Sequence, residues 1–210
     1  MARLKILNAY CGIGGNRKLW KDVEVTAVEF NPQIAAIYQE IYPKDNVVIG
    51  DAHAYLLKHF KEFDFVWASP PCPTHSRLNN SAKGGKSGWE NPYRFPDMKL
   101  YEEIIFLQHF FKGKFVVENV ISYYNPLIQP IEICNHYFWT NFMIGSFPAT
   151  SRDHDSSMEK LAEKKGVDLS VFNNHVGVDK RKILRNCVQP HLGLHILNES
   201  KRDVQPELFR

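Results

Sequence analysis

The feature that most constrains the fold is a regular alternation of short strand-like segments with segments of helical periodicity. Apolar and β-branched residues form strand-like segments at Leu4–Ala9, Val23–Glu29, Asn46–Ile49 and residues 64–68. Between them, apolar side chains recur at helical spacing, and Asn31-Pro32 has the form of an N-cap followed by proline at the first helical position. This alternation predicts an α/β domain whose mainly parallel sheet is covered by helices on both faces.

The second half of the chain continues this pattern less regularly. Residues 73–97 are rich in glycine and proline and lack an apolar period, which predicts a long functional loop that is mobile in the absence of substrate. Helical spacing resumes at residue 98, a strand is predicted at residues 114–117, and residues 131–144 are expected to form one strand or a hairpin of two. Residues 149–180 are polar and predicted to be irregular, and apolar spacing returns at residues 180–196.

Length and composition limit the class of protein. A chain of 210 residues, of which 44% are hydrophobic, is long enough for one well-buried domain and too short for two. The net charge of +3 permits nucleic-acid binding without requiring it. We expect no signal peptide and no membrane span, because the apolar runs are too short. Cysteines at positions 11, 72, 134 and 187 show no paired spacing, so we expect neither a disulfide framework nor a metal site. A chain with unpaired cysteines is typical of a reducing compartment, so we expect a cytoplasmic location.

The residues best suited to chemistry directly follow predicted strands, where sheets of this kind bind ligands. The glycine loop Cys11-Gly12-Ile13-Gly14-Gly15 lets a ligand approach the backbone, although a plain tight turn has the same composition. Glu29 ends the second strand, where a carboxylate can accept from ribose hydroxyls or simply precede a helix. Asp51 follows the third strand and can accept from the exocyclic amine of adenine. In this order, the three features predict an adenosine-containing ligand.

The most specific local feature is Ser69-Pro70-Pro71-Cys72, which follows the strand at residues 64–68. Two prolines restrict the backbone and hold the next side chain in one direction. A cysteine in that place indicates a thiolate nucleophile of lowered pKa, whereas the alternative is an inert buried cysteine.

An acidic residue and an amide, Glu118-Asn119, end the next predicted strand. The acid could protonate N3 of a pyrimidine while Cys72 attacks C6, and Asn119 could brace the turn that carries the cysteine. The alternative interpretation is a pair of residues that caps a helix.

In this order the motifs resemble those of the C5-cytosine DNA methyltransferases, in particular small phage-encoded members. The resemblance runs from Lys5 to about Leu197. It covers residues 8–15, Glu29-Phe30, Asp51-Ala52, Pro71-Cys72, Glu118-Asn119-Val120 and residues 185–190. It implies a Rossmann-like S-adenosylmethionine-dependent methyltransferase fold and transfer of a methyl group to C5 of cytosine in double-stranded DNA.

The resemblance assigns three groups of residues. Catalysis falls to Cys72, Glu118 and Asn119. S-adenosylmethionine is expected to bind Tyr10, Gly12, Ile13, Gly14, Gly15, Glu29, Phe30, Asp51, Ala52, Pro71, Leu100, Asn186 and Val188. Nucleic acid is expected to contact Ser76, Arg77, Lys83, Lys86 and Arg94.

The sequence departs from the family pattern in ways that concern the target base more than the donor. Asn8 stands where the family usually has aspartate, Pro73 stands where it usually has glutamine, and residues 135–140 lack the arginine that helps to hold the base. One catalytic domain, 1–210, is expected, with residues 149–179 as a reduced target-recognition insertion. Its basic residues, Arg152, His154, Lys160, Lys164 and Lys165, are predicted to contact phosphates.

Two alternatives remain open. The same cysteine and glutamate would serve an RNA cytosine-5 methyltransferase. A donor-binding subunit that needs a partner for recognition would also fit, and a recognition partner or a homodimer is compatible with the short insertion.

Overall fold

Seven strands form a single sheet in the computed structural model, which describes residues 2–77, 95–148 and 157–202. They are β1 (Leu4–Ala9), β2 (Val23–Glu29), β3 (Asn46–Ile49), β4 (Phe65–Ala68), β5 (Lys114–Val120), β6 (Ile131–Ile133) and β7 (His136–Thr140). Their order is β3-β2-β1-β4-β5-β7-β6. Neighbours from β3 to β5 are parallel, and β7 runs antiparallel to both β5 and β6. The strand order therefore reverses between β1 and β4, which is where open α/β sheets bind ligands.

Helices cover both faces of this sheet, as predicted. They are α1 (Pro32–Ile41), α2 (Ala52–His59), α3 (Lys99–Phe110), α4 (Met158–Lys165), α5 (Lys180–Asn186) and α6 (Pro190–Ser200), with short 3-10 helices at Phe60–Glu62 and Leu169–Phe172. Leu7 packs with α2 and α3 on one face, and the adjacent Ile6 packs with α1 and α6 on the other. Successive residues of a strand point to opposite faces, so strands covered on both sides are apolar throughout.

Local sequence explains where the helices beside the strand ends begin. Asn31 caps α1 by accepting from the backbone N–H groups of Gln33 and Ile34, and Pro32 takes the first helical position. Asp51 caps α2 in the same way, accepting from His53 and Ala54. Both caps directly follow a parallel strand, so polar side chains are concentrated at the carboxyl edge of the sheet.

The prediction that residues 149–180 are irregular is wrong for their described part. Residues 158–165 form α4, which Ser157 caps and Gly166 ends in a left-handed conformation. Leu161 and Phe172 are fully buried and pack with Ile13 and with α1. The helix was missed because it is short and mostly polar, so that only a narrow apolar stripe marks it.

The predicted hairpin at residues 131–144 is confirmed as β6 and β7. The strand predicted at residues 114–117 continues to Val120, so Glu118 and Asn119 are strand residues that pair with β7. The alternative interpretation of these two residues as a helix cap is therefore wrong. None of the helices in the part of the chain that the structure describes has the length and apolarity that a membrane span requires.

Candidate active site

A cleft of about 250 Å³ opens at the carboxyl edge of the sheet, where the strand order reverses. It is lined by Tyr10, Phe30, Asp51, Ala52, His53, Pro70, Pro71, His75, Asp97, Lys99 and Leu100. Parallel register brings these residues together: Ala9 pairs with Ala68, and the Ser69 N–H donates to the Ala9 carbonyl over 3.3 Å. The cleft contains six of the residues that were predicted to bind S-adenosylmethionine: Tyr10, Phe30, Asp51, Ala52, Pro71 and Leu100.

The glycine loop and Glu29 hold each other in place at the edge of the cleft. The Gly12 N–H donates to Glu29 Oε2 over 3.1 Å, and the Asn31 N–H donates to Glu29 Oε1 over 2.9 Å. Gly12 has a φ of +54°, and a Cβ added there would meet no atom within 4 Å. The loop therefore needs glycine for its conformation and presents open space, while each carboxylate oxygen keeps a second lone pair for a ligand.

Asp51 and Phe30 present a carboxylate oxygen and an exposed aromatic residue at the cleft. Asp51 uses Oδ1 for its cap, accepting from His53 over 2.8 Å and from Ala54 over 3.2 Å. Its Oδ2 makes no hydrogen bond to the described residues, which leaves it as an acceptor for an amine. The Phe30 ring is 77% exposed although it lines the cleft, as expected of a surface on which a planar base can stack. The residues present thus fit an adenosine ligand.

The other predicted donor residues shape the loop without reaching the cleft. Ile13 is buried against α1 and α4, and Gly14 lies against the rings of Tyr38 and Tyr42. Gly15 lies against the backbone of Val188, where an added Cβ would be 2.5 Å from the Val188 carbonyl oxygen. Asn186 is exposed at the end of α5. Residues 185–190 therefore fold back beside the glycine loop, and Asn186 and Val188 are not among the residues that line the cleft.

The unusual Asn8 has a structural partner. Asn8 and Asn16 are buried, and their side-chain amides pair reciprocally: Asn16 Nδ2 donates to Asn8 Oδ1 over 2.8 Å, and Asn8 Nδ2 donates to Asn16 Oδ1 over 3.3 Å. An aspartate at position 8 would accept but not donate at neutral pH. The pair joins β1 to the far end of the glycine loop.

Cys72 sits in a turn that is held from two sides. Asn119 Nδ2 donates to the Pro70 carbonyl over 3.0 Å, which confirms that Asn119 braces the turn. The Cys72 carbonyl accepts from the N–H groups of His75 and Ser76, each over 3.0 Å. Sequence analysis did not single out His75, whose buried ring contacts the Tyr124 hydroxyl over 2.5 Å. The cysteine backbone is thus fixed between β4, β5 and the residues that follow.

The expectation of a lowered pKa for the Cys72 thiol is wrong in this structure. Burial and then the negative charge of Glu118 raise the pKa of Cys72, and a backbone hydrogen bond and the charge of Lys182 only partly oppose them. Glu118 itself is 8% exposed, and its Oε1 lies 3.7 Å from His136 Nε2 on β7. The burial of Cys72 and its distance from Glu118 both depend on how the sheet packs. The Pro-Pro turn, which was the basis of the prediction, carries no information on either.

Two further residues of the cleft region escaped the sequence analysis. His53 follows Asp51-Ala52 directly and lines the cleft. Glu103 lies on the buried face of α3, where it contacts both His53 and Tyr10. A glutamate at an apolar helical position was the available signal, since acidic side chains are rarely buried without a partner.

The predicted nucleic-acid residues are only partly described. Ser76 pairs with Ser122 in an isolated bridge, and Arg77 Nε donates to the Ser122 carbonyl over 3.4 Å. Lys83, Lys86 and Arg94 lie outside the described residues, as do most of loop 73–97 and the residues Arg152 and His154. Lys165 is buried, and its Nζ donates to the Cys187 carbonyl over 2.6 Å, so the prediction that it contacts phosphate is wrong. The described residues contain no cluster of three potential metal ligands.

A family model described as C-5 cytosine-specific DNA methylase matches residues 4–125, which run from β1 to just beyond β5. The match therefore includes the glycine loop, the cleft, Cys72 and Glu118. No curated protein sequence matches the chain significantly.

Several solved structures are similar over part of the chain. A DNMT2 variant of Spodoptera frugiperda has 26% identity and a TM-score of 0.40, over 56% of this chain and 35% of that one. The Dnmt2 methyltransferase of S. pombe has 22% identity and a TM-score of 0.39, over 56% and 34%. A protein described as a DNA modification methyltransferase encoded within an Escherichia coli prophage has 15% identity and a TM-score of 0.46, over 76% and 54%. The chain thus spans about a third of the first two proteins and about half of the third.

Proposed function

This chain belongs to the C-5 cytosine-specific DNA methylase family, and on that premise we propose that it transfers a methyl group from S-adenosylmethionine to C5 of cytosine in double-stranded DNA. One observation carries the proposal: Asn119 on β5 donates a hydrogen bond to the Pro70-Pro71-Cys72 turn that follows β4. Glu118, next in sequence to Asn119, is close enough for its charge to act on the Cys72 thiol. A nucleophile and an acid therefore flank one place for a base.

S-adenosylmethionine, which supplies an electrophilic methyl group, fits the adjoining cleft. Glu29 would accept from the ribose hydroxyls, Asp51 Oδ2 would accept from the adenine amine, and the exposed Phe30 ring would stack on the base. Gly12 keeps the backbone open beside them because a Cβ is absent. The cleft and the Cys72 turn share Pro70 and Pro71, so donor and target base would meet at this turn.

Cys72 is the proposed nucleophile. Its Sγ passes its proton to Glu118 and bonds to C6 of the cytosine, while Glu118 delivers that proton to N3 and relieves the charge that enters the ring. C5 then accepts the methyl group and loses its own proton to a solvent base. The Sγ–C6 bond breaks, the C5=C6 bond returns, and the N3 proton goes back to Glu118. Acid assistance of this kind typically contributes a factor of about 10²–10⁴ in rate.

Double-stranded DNA requires that the target base leave the stack, at a cost of a few kcal/mol. We propose that residues 73–97 help to offset this cost, with Ser76 and Arg77 at the end that is described and Lys83, Lys86 and Arg94 further along. Residues 149–179 are proposed to take part in target recognition. Because their described part is packed into the core, we expect a short or degenerate target or a recognition partner.

Covalent trapping tests the mechanism without knowledge of the target site. A random-sequence DNA duplex in which 5-fluorocytosine replaces every cytosine is incubated with the protein and S-adenosylmethionine. Fluorine at C5 cannot leave as a proton does, so we expect an adduct that survives denaturing electrophoresis. Cys72→Ser should form no adduct, and Cys134→Ser, which changes another partly exposed cysteine, should form it normally.

The alternatives give different results in the same experiment. Adducts with RNA of the same composition, and none with DNA, would indicate an RNA cytosine-5 methyltransferase. Binding of S-adenosylhomocysteine without an adduct on either polymer would indicate a donor-binding subunit that needs a partner. A Cys72→Ser protein that methylates at the wild-type rate would rule out the cysteine mechanism.

A further inference from the structure

Glu103 is a buried carboxylate that the chemistry above does not use. It is fully inaccessible on α3, and its Oε1 accepts a hydrogen bond from the Tyr10 hydroxyl. The same Oε1 lies 2.9 Å from His53 Nδ1, and Oε2 is buried without a hydrogen-bond partner among the described residues. Burial of a carboxylate is unfavourable unless its partners compensate, so this arrangement needs a reason beyond packing.

Tyr10 is the residue that Glu103 holds most directly. Its φ of +57° places it in the left-handed region, which residues other than glycine rarely adopt. Tyr10 lies in the sequence between the end of β1 and the glycine loop, and it lines the cleft. Burial and the neighbouring Glu103 raise the pKa of the Tyr10 hydroxyl, which therefore stays protonated and donates. The ring is thus fixed at its backbone and at its hydroxyl.

His53 ties the same carboxylate to the opposite side of the cleft. It belongs to the first turn of α2, whose cap is Asp51. Its Nε2 lies 3.5 Å from Glu102 Oε1, and the hydrogen bond with Glu103 raises the pKa of His53, which favours its charged form. Glu103 therefore connects the end of β1 with the start of α2, and these two segments carry Tyr10 and Asp51.

We propose that Glu103 and His53 are positioning residues for the methyl donor, because through Tyr10 and the first turn of α2 they set the two walls between which its adenosine portion binds. The proposal rests on the proposed function, in that it assumes an adenosine ligand in this cleft. Among the described residues, their polar side-chain contacts are with each other, with Tyr10 and with Glu102, and none is with Cys72 or Glu118. The network should therefore act on donor affinity and not on the methyl-transfer step.

Calorimetric binding of S-adenosylhomocysteine to purified variants provides the test. Tyr10→Phe keeps the ring and removes the hydroxyl, and we expect the Kd to rise about tenfold, the scale of a hydrogen bond to a charged group. Glu103→Gln keeps a carbonyl that can accept from Tyr10, so it should bind the ligand more tightly than Glu103→Leu. Tyr55→Phe on α2 and Glu62→Gln on the following 3-10 helix are the matched controls, with an unchanged Kd.

Coupling separates a positioning role from general damage. If Tyr10 and Glu103 act through one hydrogen bond, the fold-losses of Tyr10→Phe and Glu103→Leu, each of which removes that bond, will not multiply in the double variant. Single-turnover methyl transfer at saturating donor should keep its wild-type rate in Glu103→Gln, because Glu103 does not line the cleft. Thermal denaturation checks that each variant is folded. If Glu103→Leu is not folded, the Kd values of Tyr10→Phe and Glu103→Gln decide whether the positioning role holds.

The outcomes are distinct. Wild-type protein that does not bind S-adenosylhomocysteine would overturn the donor assignment, and this proposal with it. Wild-type binding with an unchanged Kd in Tyr10→Phe and Glu103→Gln, or fold-losses that multiply, would overturn the positioning role alone.

Discussion

Burial and a neighbouring carboxylate act in the same direction on the Cys72 thiol. Both raise its pKa, so at neutral pH the free protein holds a thiol beside a Glu118 carboxylate. Transfer of one proton from Sγ to Glu118 would produce a thiolate and remove the charge that opposes it. The reactive form would then differ from the resting form only in where one proton lies.

Replacement of the carboxylate should separate thiol reactivity from catalysis. Glu118→Gln removes a negative charge that raises the pKa of Cys72, so the midpoint of the pH profile for alkylation by iodoacetamide should move to lower pH. Methyl transfer by the same variant should fall by about 10²–10⁴, because the acid at N3 is lost. Mass spectrometry of the Cys72 peptide follows alkylation, and tritium transfer to DNA follows catalysis.

Glu132→Gln is the matched control, since it removes an exposed carboxylate on β6 and should leave both profiles unchanged. An alkylation midpoint in Glu118→Gln at or above that of the wild type would contradict the assigned cause of the raised pKa.

Among the structural elements, the glycine loop between β1 and β2 shows how similar glycines serve different purposes. Gly12 has a positive φ and open space, so only its backbone conformation requires glycine. Gly15 has no positive φ, but an added Cβ would lie 2.5 Å from the Val188 carbonyl oxygen and 2.8 Å from Cys187 Cβ. Gly12 therefore sets the backbone conformation of the loop, and Gly15 lets the segment that carries Cys187 and Val188 approach it.

Alanine substitutions should separate these two purposes. Gly12→Ala is expected to reduce the free energy of unfolding by about 1 kcal/mol through strain and to weaken S-adenosylhomocysteine binding. Gly15→Ala is expected to cost about 2–3 kcal/mol, because the backbone at Val188 has to move. Gly50→Ala, which has open space and no positive φ, is the control and should be close to neutral. Urea denaturation measures stability, and a Gly15→Ala protein as stable as wild type would contradict the close contact.

At the scale of the whole molecule, residues of the C-terminal segment complete the core around the glycine loop. Trp20 Nε1 donates to the Gly193 carbonyl over 3.1 Å, and Lys165 Nζ reaches the Cys187 carbonyl. Leu161 on α4 is fully buried in a cluster with Ile13 of the glycine loop and Ile37 of α1. The described part of the chain beyond the family match therefore packs into one core with the matched part.

Truncation of the buried leucine tests this dependence. Leu161→Ala should lower the free energy of unfolding by about 3 kcal/mol, the usual scale for a large-to-small change in a core. Lys160→Ala, one residue earlier and exposed, should change it by less than about 0.5 kcal/mol. Both values come from urea denaturation. A Leu161→Ala protein of wild-type stability would show instead that α4 is an appendage available for recognition.

Sequence alone determined the parallel sheet, the placement of Asp51 at the cleft, and the meeting of the Cys72 turn with Asn119. These features were accessible because each depends on local periodicity or on a residue at a strand end, and a parallel sheet collects its strand ends at one edge. Only the tertiary structure decided that the pKa of Cys72 is raised, that Lys165 is buried, and that Glu103 joins Tyr10 to His53. Tyr10 and Glu103 are 93 positions apart, and His53 and Glu103 are 50 apart, and no local pattern specifies such a contact. Burial and charge act through distance in space, and that distance exists only once the sheet and helices have packed.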